Sequence, residues 1–303
     1  MIPSKSKYLF SGILSAIIWG FFAIPLRNLK SYPSEQILYY RIFTSLIVIW
    51  LAIFLFRRKE LKRDINYFRQ ISTRERRIVL AQVIGATVLL VLNWYTFIYA
   101  INNVSIKSGA FAYMVCPLIT AFGGFMILKE HLYRIQIVAL ILATSSILML
   151  ATGSLIEVTW SVGIAALYAF YLIIQRKMQH LDKLNVLAIQ ISIAVILMLP
   201  FFIYQRTGLP METSFWLNVT LIAVLFTIIP LFLSLFALVG IPSSTLGIII
   251  YINPIIAFTV AIIYFNEKID PHQLMAYLLL LFAVFLFNWN MIKPSWAYRH
   301  KLK

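Results

Sequence analysis

The chain has 303 residues, 62% hydrophobic and 12% charged, with a mean hydropathy of +0.89 and a formal net charge of +16. A soluble domain of this size does not carry so much apolar surface, so the composition excludes that class and indicates an integral membrane protein. The basic residues lie in short loops between apolar runs, where they act as topology signals and lipid-headgroup contacts, so the strong positive charge does not imply a nucleic-acid partner.

The apolar runs are continuous and about 20 residues long, the length that crosses a bilayer as a helix. Barrel strands would alternate over about 10 residues instead. The sequence therefore predicts an all-α integral membrane protein with ten transmembrane helices. The spans fall at 6–26, 35–56, 78–101, 107–128, 133–152, 158–175, 185–204, 215–239, 244–265 and 272–292. The first span lacks a small-residue cleavage site and reads as retained. It carries Trp19 and Gly20, and the second carries Arg41 about two turns in. The connection RRKELKRDINYFRQISTRERR, residues 57–77, predicts a short amphipathic helix on the membrane surface. The third span holds Asn93 and Trp94. The fourth holds Tyr113, Pro117 and Cys116, the single cysteine, so a disulfide is excluded. Tyr168, Tyr171 and Gln175 share one face of the sixth, Pro230 interrupts the eighth, and Tyr251, Asn253 and Pro254 lie in the ninth.

Basic residues set the orientation. With the N-terminus in the cytoplasm, 20 Lys and Arg residues face inward and 5 outward, which predicts that both termini are cytoplasmic. A repeat then becomes visible. KSGAFAYMVCPLITAFGGFMILKEH (107–131) and SSTLGIIIYINPIIAFTVAIIYFNEK (243–268) share an early Gly, a Tyr, a Pro and a closing Glu. Pro117 to Glu130 and Pro254 to Glu267 each span thirteen positions. The copies are the fourth and ninth spans, five apart, so the two halves insert in opposite orientations. Residues 1–152 form one five-helix repeat, including the basic cytoplasmic connection 57–77, and 153–303 the other. Inverted repeats of this kind are a transporter architecture.

The ten acidic residues all fall in loops or at span ends, and the four histidines lie at span ends or in tails. No carboxylate sits at membrane depth, as a proton pump would keep one. No His-Glu cluster or nucleotide-binding motif is written either, so no cofactor, metal or catalytic residue is expected and the chain does not read as an enzyme. Arg41 is the exception among the charges, being inside a span. It could snorkel to the headgroups, contact substrate or a gate, or pair with Glu35. The other candidates for a substrate cavity are Trp19, Asn93, Trp94, Tyr113, Tyr171, Tyr251 and Asn253. Tyr113, Tyr251 and Asn253 suit either pore lining or interhelical hydrogen bonds, and the tryptophans suit packing or stacking. Pro117, Pro230 and Pro254 free backbone carbonyls and form hinge candidates. Glu130 and Glu267 end equivalent helices, as caps or as a symmetric gate. Gly109, Gly123, Gly124 and Gly247 permit close helix approach.

These motifs resemble the RarD group of the EamA family, within the drug/metabolite transporter superfamily. The resemblance covers nearly the whole chain, through IIWG (17–20), YPSEQILYYR (32–41), LNWYTFIYAINN (92–103), YMVCP (113–117), ALYAFYLIIQRK (166–177), TIIPL (227–231) and SSTLGIIIYINP (243–254). Cys116 departs from it, standing where the group commonly has Asn before the proline. The resemblance implies ten helices as two inverted EamA repeats in a bacterial plasma (inner) membrane. It implies a permease or exporter of a small organic metabolite or drug, and with the inverted repeat the chain reads as a secondary transporter working by alternating access. Partners would be that small molecule and membrane lipids, and the fifth and tenth helices would pack outside or support a homodimer. A passive channel and a non-transporting scaffold are the competing readings.

Overall fold

The computed structural model describes residues 5–128, 133–178, 180–205, 208–241, 249–287 and 289. Among these, every regular element is a helix. The first five are α1 (Lys5–Gly20), α2 (Ala23–Arg27), α3 (Ser34–Phe56), α4 (Arg58–Gln70) and α5 (Thr73–Asn103). Then come α6 (Ile106–Leu128), α7 (Arg134–Gly153), α8 (Leu155–Lys177), α9 (Lys183–Gln205) and α10 (Thr213–Ala223). A π-helical turn, Val224–Ile228, leads into α11 (Ile229–Gly240). After α12 (Ile252–Thr259) comes a second π turn, Val260–Tyr264, and then α13 (Pro271–Phe287). Among the described residues, eight candidate spans are long and apolar enough to cross a bilayer, while Ile252–Tyr264 and Pro271–Phe287 are shorter apolar helices.

The basic connection 57–77 divides in two. Its first part is α4, as the amphipathic pattern predicted. Its last residues instead open α5, because Ser72 and Glu75 form a reciprocal capping box that starts the helix well before the apolar stretch. At 31 residues α5 runs about 46 Å, longer than the hydrocarbon core, so its basic first turns project beyond the span.

Helix packing joins the two halves rather than separating them. Helix α1 packs on α11 and α12, and α8 packs correspondingly on α5 and α6. Helix α5 meets α9 as α10 meets α3. The pairs α3 with α9, α6 with α12, and α7 with α13 are each self-matched across the halves. Exchanging first-half helices for second-half helices thus maps the main contacts onto one another. The fifth and tenth predicted spans pack on each other, with Ser146 Oγ donating to the Ala276 carbonyl at 2.7 Å. Close approach needs glycine at Gly20 and Gly109, among other points. A Cβ on Gly20 would stand 2.6 Å from Ile256 Cβ, and one on Gly109 would stand 2.9 Å from the Phe97 ring.

At the end of the bundle where α3 finishes, α4 is fastened to the second half. Arg57 pairs with Asp182 at 2.7 Å. Asp64, on α4, accepts the Asp182 backbone N–H at 2.8 Å and Asn185 Nδ2 at 2.7 Å. Asp64→Ala leaves those donors without their acceptor and is expected to cost about 1–3 kcal/mol. The thermal-unfolding midpoint of the purified protein checks this, and an unchanged midpoint would show that the fastening is dispensable.

Candidate functional site

The site is built where α1, α5, α6 and α12 converge. Trp19, Gly20, Phe22 and Ala23 come from the first predicted span, which turns between α1 and α2 ahead of Pro25. Phe97 and Ile101 come from α5, Ile106, Gly109, Ala110 and Tyr113 from α6, and Asn253 and Ala257 from α12. Together they line a narrow cavity with room for roughly one water molecule.

The first π turn holds Trp19 and Arg41 in place. Pro230 lacks an N–H, so the Phe226 carbonyl four residues back loses its ordinary helical donor. Trp19 Nε1 donates to that carbonyl at 3.0 Å, across 207 residues of sequence. Ser15 Oγ donates to the Pro230 carbonyl at 2.8 Å. Within the turn, the Thr227 hydroxyl donates to the Ile222 carbonyl at 2.9 Å and accepts from Arg41 Nη2 at 3.1 Å. Such π turns recur at functional sites because they break the helical ladder locally.

Arg41 is 3% exposed, so it does not snorkel. Nor does it pair with Glu35, whose carboxylate accepts the Tyr95 hydroxyl at 2.8 Å instead. Its guanidinium lies 4.3 Å from the Trp94 ring centroid and 5.1 Å from that of Phe22. Both are cation–π distances. Its Nε and Nη1 have no hydrogen-bond partner among the described residues. Phe22 is shared: it flanks Arg41 and lines the cavity. From it an aromatic track runs through Phe97 (5.6 Å), Tyr113 (5.4 Å), Tyr168 (6.2 Å) and Tyr171 (5.6 Å), each distance being to the preceding ring.

The structure therefore brings together Arg41, Trp19, Trp94, Tyr113 and Asn253. Tyr171 closes the far end of the track, where its hydroxyl accepts from Gln175 Nε2 at 2.7 Å. Asn93 lies off the cavity and bolts α5 to α8, its Nδ2 donating to the Ile164 carbonyl at 2.9 Å. Tyr251 is half-buried at the start of α12 and does not line the cavity. Pro254 is buried in α12 beside Asn253, and Pro117 lies within α6. Glu130 and Gly247 lie outside the described residues.

Glu267 closes one end. The second π turn and a left-handed Asn266 (φ 52°) bring it over the start of α6. Its Oε1 accepts the Ile106 N–H at 2.9 Å and its Oε2 the Lys107 N–H at 3.2 Å, so it caps a helix of the other half. Arg27 pairs with the same carboxylate at 3.2 Å and donates to the Ile101 carbonyl at 2.8 Å. Lys107 Nζ adds a bond to the Lys268 carbonyl at 2.6 Å. Sequence reasoning missed Arg27, Phe22 and Thr227. One signal was present: Trp19 precedes Arg27 by eight positions, as Tyr168 precedes Arg176 in the other half.

Comparison with known proteins fits this arrangement. The EamA-like transporter family matches the chain twice, over residues 6–152 and 155–289. The protein RarD of Streptomyces exfoliatus is 27% identical, covering 94% of this chain and 89% of that one. RarD of Escherichia coli is 26% identical over 91% and 93%, and an uncharacterized transporter of Pseudomonas aeruginosa is 25% identical over 92% of each. A protein crystal structure superposes with a TM-score of 0.62 at 15% identity, covering 96% of this chain and 100% of that one, which shows a shared fold. These relatives and the long apolar helices make the chain a multi-pass protein of the bacterial inner membrane. Matched in both halves, it belongs to the EamA-like transporter family.

Proposed function

We propose that this protein is a secondary transporter, a permease or exporter that moves a small organic molecule by alternating access. In this reading ten helices form two inverted five-helix repeats, residues 1–152 and 153–303, with both termini in the cytoplasm. The exchange symmetry of the helix contacts carries the reading. A bundle whose halves can trade roles has two packings of similar energy, and each would open the cavity to a different side. Arg41, Trp19, Trp94, Tyr113 and Asn253 would meet the substrate, with Tyr171 at the far end of the aromatic track. Tyr251 and Asn93 would hold the surrounding helices. Pro117, Pro230 and Pro254 would serve as hinges. Glu267, locked to Arg27 and the start of α6, would be the gate at one end, and Glu130 holds the equivalent place in the sequence of the first half.

Ala110 and Ala257 line the cavity and are small enough to replace. In a Cys116→Ala background, Ala110→Cys and Ala257→Cys are to be labelled with a membrane-impermeant maleimide, in right-side-out and in inverted vesicles. Alternating access predicts reciprocal labelling, in which a change that raises reaction from one side lowers it from the other. Equal, invariant labelling from both sides would indicate a channel, and none from either would indicate a scaffold.

A further inference from the structure

We propose that this site, once its packing opens beyond the one-water cavity and past Phe22 to Arg41, takes an organic anion, with a carboxylate-type group against Arg41 and an apolar aromatic body among the lining rings. The inference rests on the transport reading for the use of the cavity, and on Arg41 for the charge.

The other buried or half-buried charges have partners. Arg27 pairs with Glu267 and Arg57 with Asp182, the buried Asp64 is met by the exposed Arg63, and the buried Lys107 ammonium donates to the Lys268 carbonyl and to Gln273 Oε1. The carboxylate nearest Arg41 in sequence, Glu35, is held by Tyr95. Among the described residues no carboxylate pairs with Arg41, although it is among the most deeply buried charged side chains. A guanidinium taken out of water with donors unmet is a cost to the fold, and an anion removes that cost. The Trp94 and Phe22 rings and the Thr227 hydroxyl compensate it in part. They leave Nε and Nη1 as free donors. A planar fork of this kind matches the two oxygens of a carboxylate.

The aromatic lining beside it sets the rest of the molecule. Phe22 stacks between Phe97 and Phe226, Tyr113 is tilted 58° from Phe97, and Trp19 lines the same cavity, so the surroundings are apolar and aromatic and suit a ring on the ligand. Trp19 is already held by Phe226 through its Nε1, so it offers a ring face rather than a donor.

The test uses the full chain in lipid nanodiscs and follows the thermal midpoint as ligand is added. The probes are benzoate, indole-3-acetate, the amides of both, and inorganic phosphate. The expected result is saturable stabilisation by the aromatic carboxylates at concentrations at least about tenfold below those at which their amides act. That stabilisation should disappear in Arg41→Gln and weaken in Arg41→Lys, which keeps the charge but loses the fork. Equal action of the amides, retention of the effect in Arg41→Gln, an equal response to phosphate, or no response to any carboxylate would each overturn the proposal. If Arg41→Gln fails to fold, the comparison of carboxylate with amide on the unmodified protein decides alone. Flux of the same compounds in proteoliposomes separates the two readings. Carboxylate binding without flux would sink transport and leave the anion site, whereas flux of the amide that does not depend on Arg41 would sink the anion site and leave transport.

Discussion

Arg41→Met is expected to raise thermal stability while abolishing transport. A structural arginine behaves in the opposite way, since removing it would break bonds the fold relies on. Here the guanidinium has one side-chain hydrogen bond, to Thr227, and two nitrogens with unmet donors in a position 3% exposed. Buried donors without partners cost about 1–3 kcal/mol each, and replacing buried charges with apolar residues of similar volume is often neutral or stabilising. Methionine is flexible enough to fill the slot between Trp94 and Phe22. Its thioether cannot donate to Thr227, whose hydroxyl remains bonded to the Ile222 carbonyl. The protein should still insert and run as a monodisperse species, with a midpoint at or above that of the unmodified chain. Arg41→Ala should also insert and lose transport, but it leaves a void and should not gain stability. A fall in midpoint for Arg41→Met, or normal transport by either variant, would refute a substrate role for this residue. Stability surrendered at one buried charge is the mark of a functional site in an otherwise consistent fold.

The second large effect is expected at the latch. Glu267→Ala removes an ion pair and two helix-capping bonds together, at side chains only 20% and 13% exposed for Arg27 and Glu267. With that little solvent screening, the loss should amount to about 2–3 kcal/mol of the closed arrangement at this end. An equilibrium between two packings would shift by roughly 30- to 150-fold. Labelling of Ala110→Cys from the face where α6 begins should rise accordingly, and transport should fall because the protein stays open on that side. Charge exchange gives a sharper check. Arg27→Glu combined with Glu267→Arg restores an ion pair but places a cation against the Ile106 and Lys107 N–H groups, where a carboxylate is required. The exchanged variant should therefore resemble Glu267→Ala. Labelling that matches the unmodified protein would show that the pairing alone, or neither contact, holds this end.

What the sequence by itself determined is everything that the bilayer dictates locally. Apolar length and the need to satisfy the backbone within each segment make a helix the only outcome for the runs at 35–56 or 185–204, and α3 and α9 begin and end within two residues of those limits. The matched prolines and glutamates of 107–131 and 243–268 made the repeat legible, and the family match in both halves agrees with it. Arg41 stood out because a charge within an apolar run is conspicuous in any sequence. Its surroundings did not. Thr227 lies 186 residues away, and it meets Arg41 from the π turn of the eighth predicted span. Arg27 and Glu267 are 240 residues apart and meet because the end of the first predicted span and the turn after the second π segment converge on the start of α6. Hydropathy assigns each helix to the membrane without choosing its neighbours, since a lipid chain is as apolar as leucine and every face of such a helix looks equally burial-competent. The choice among faces rests on small residues, freed carbonyls and a few polar groups whose partners are far off in the chain, and only the tertiary structure brings those partners together.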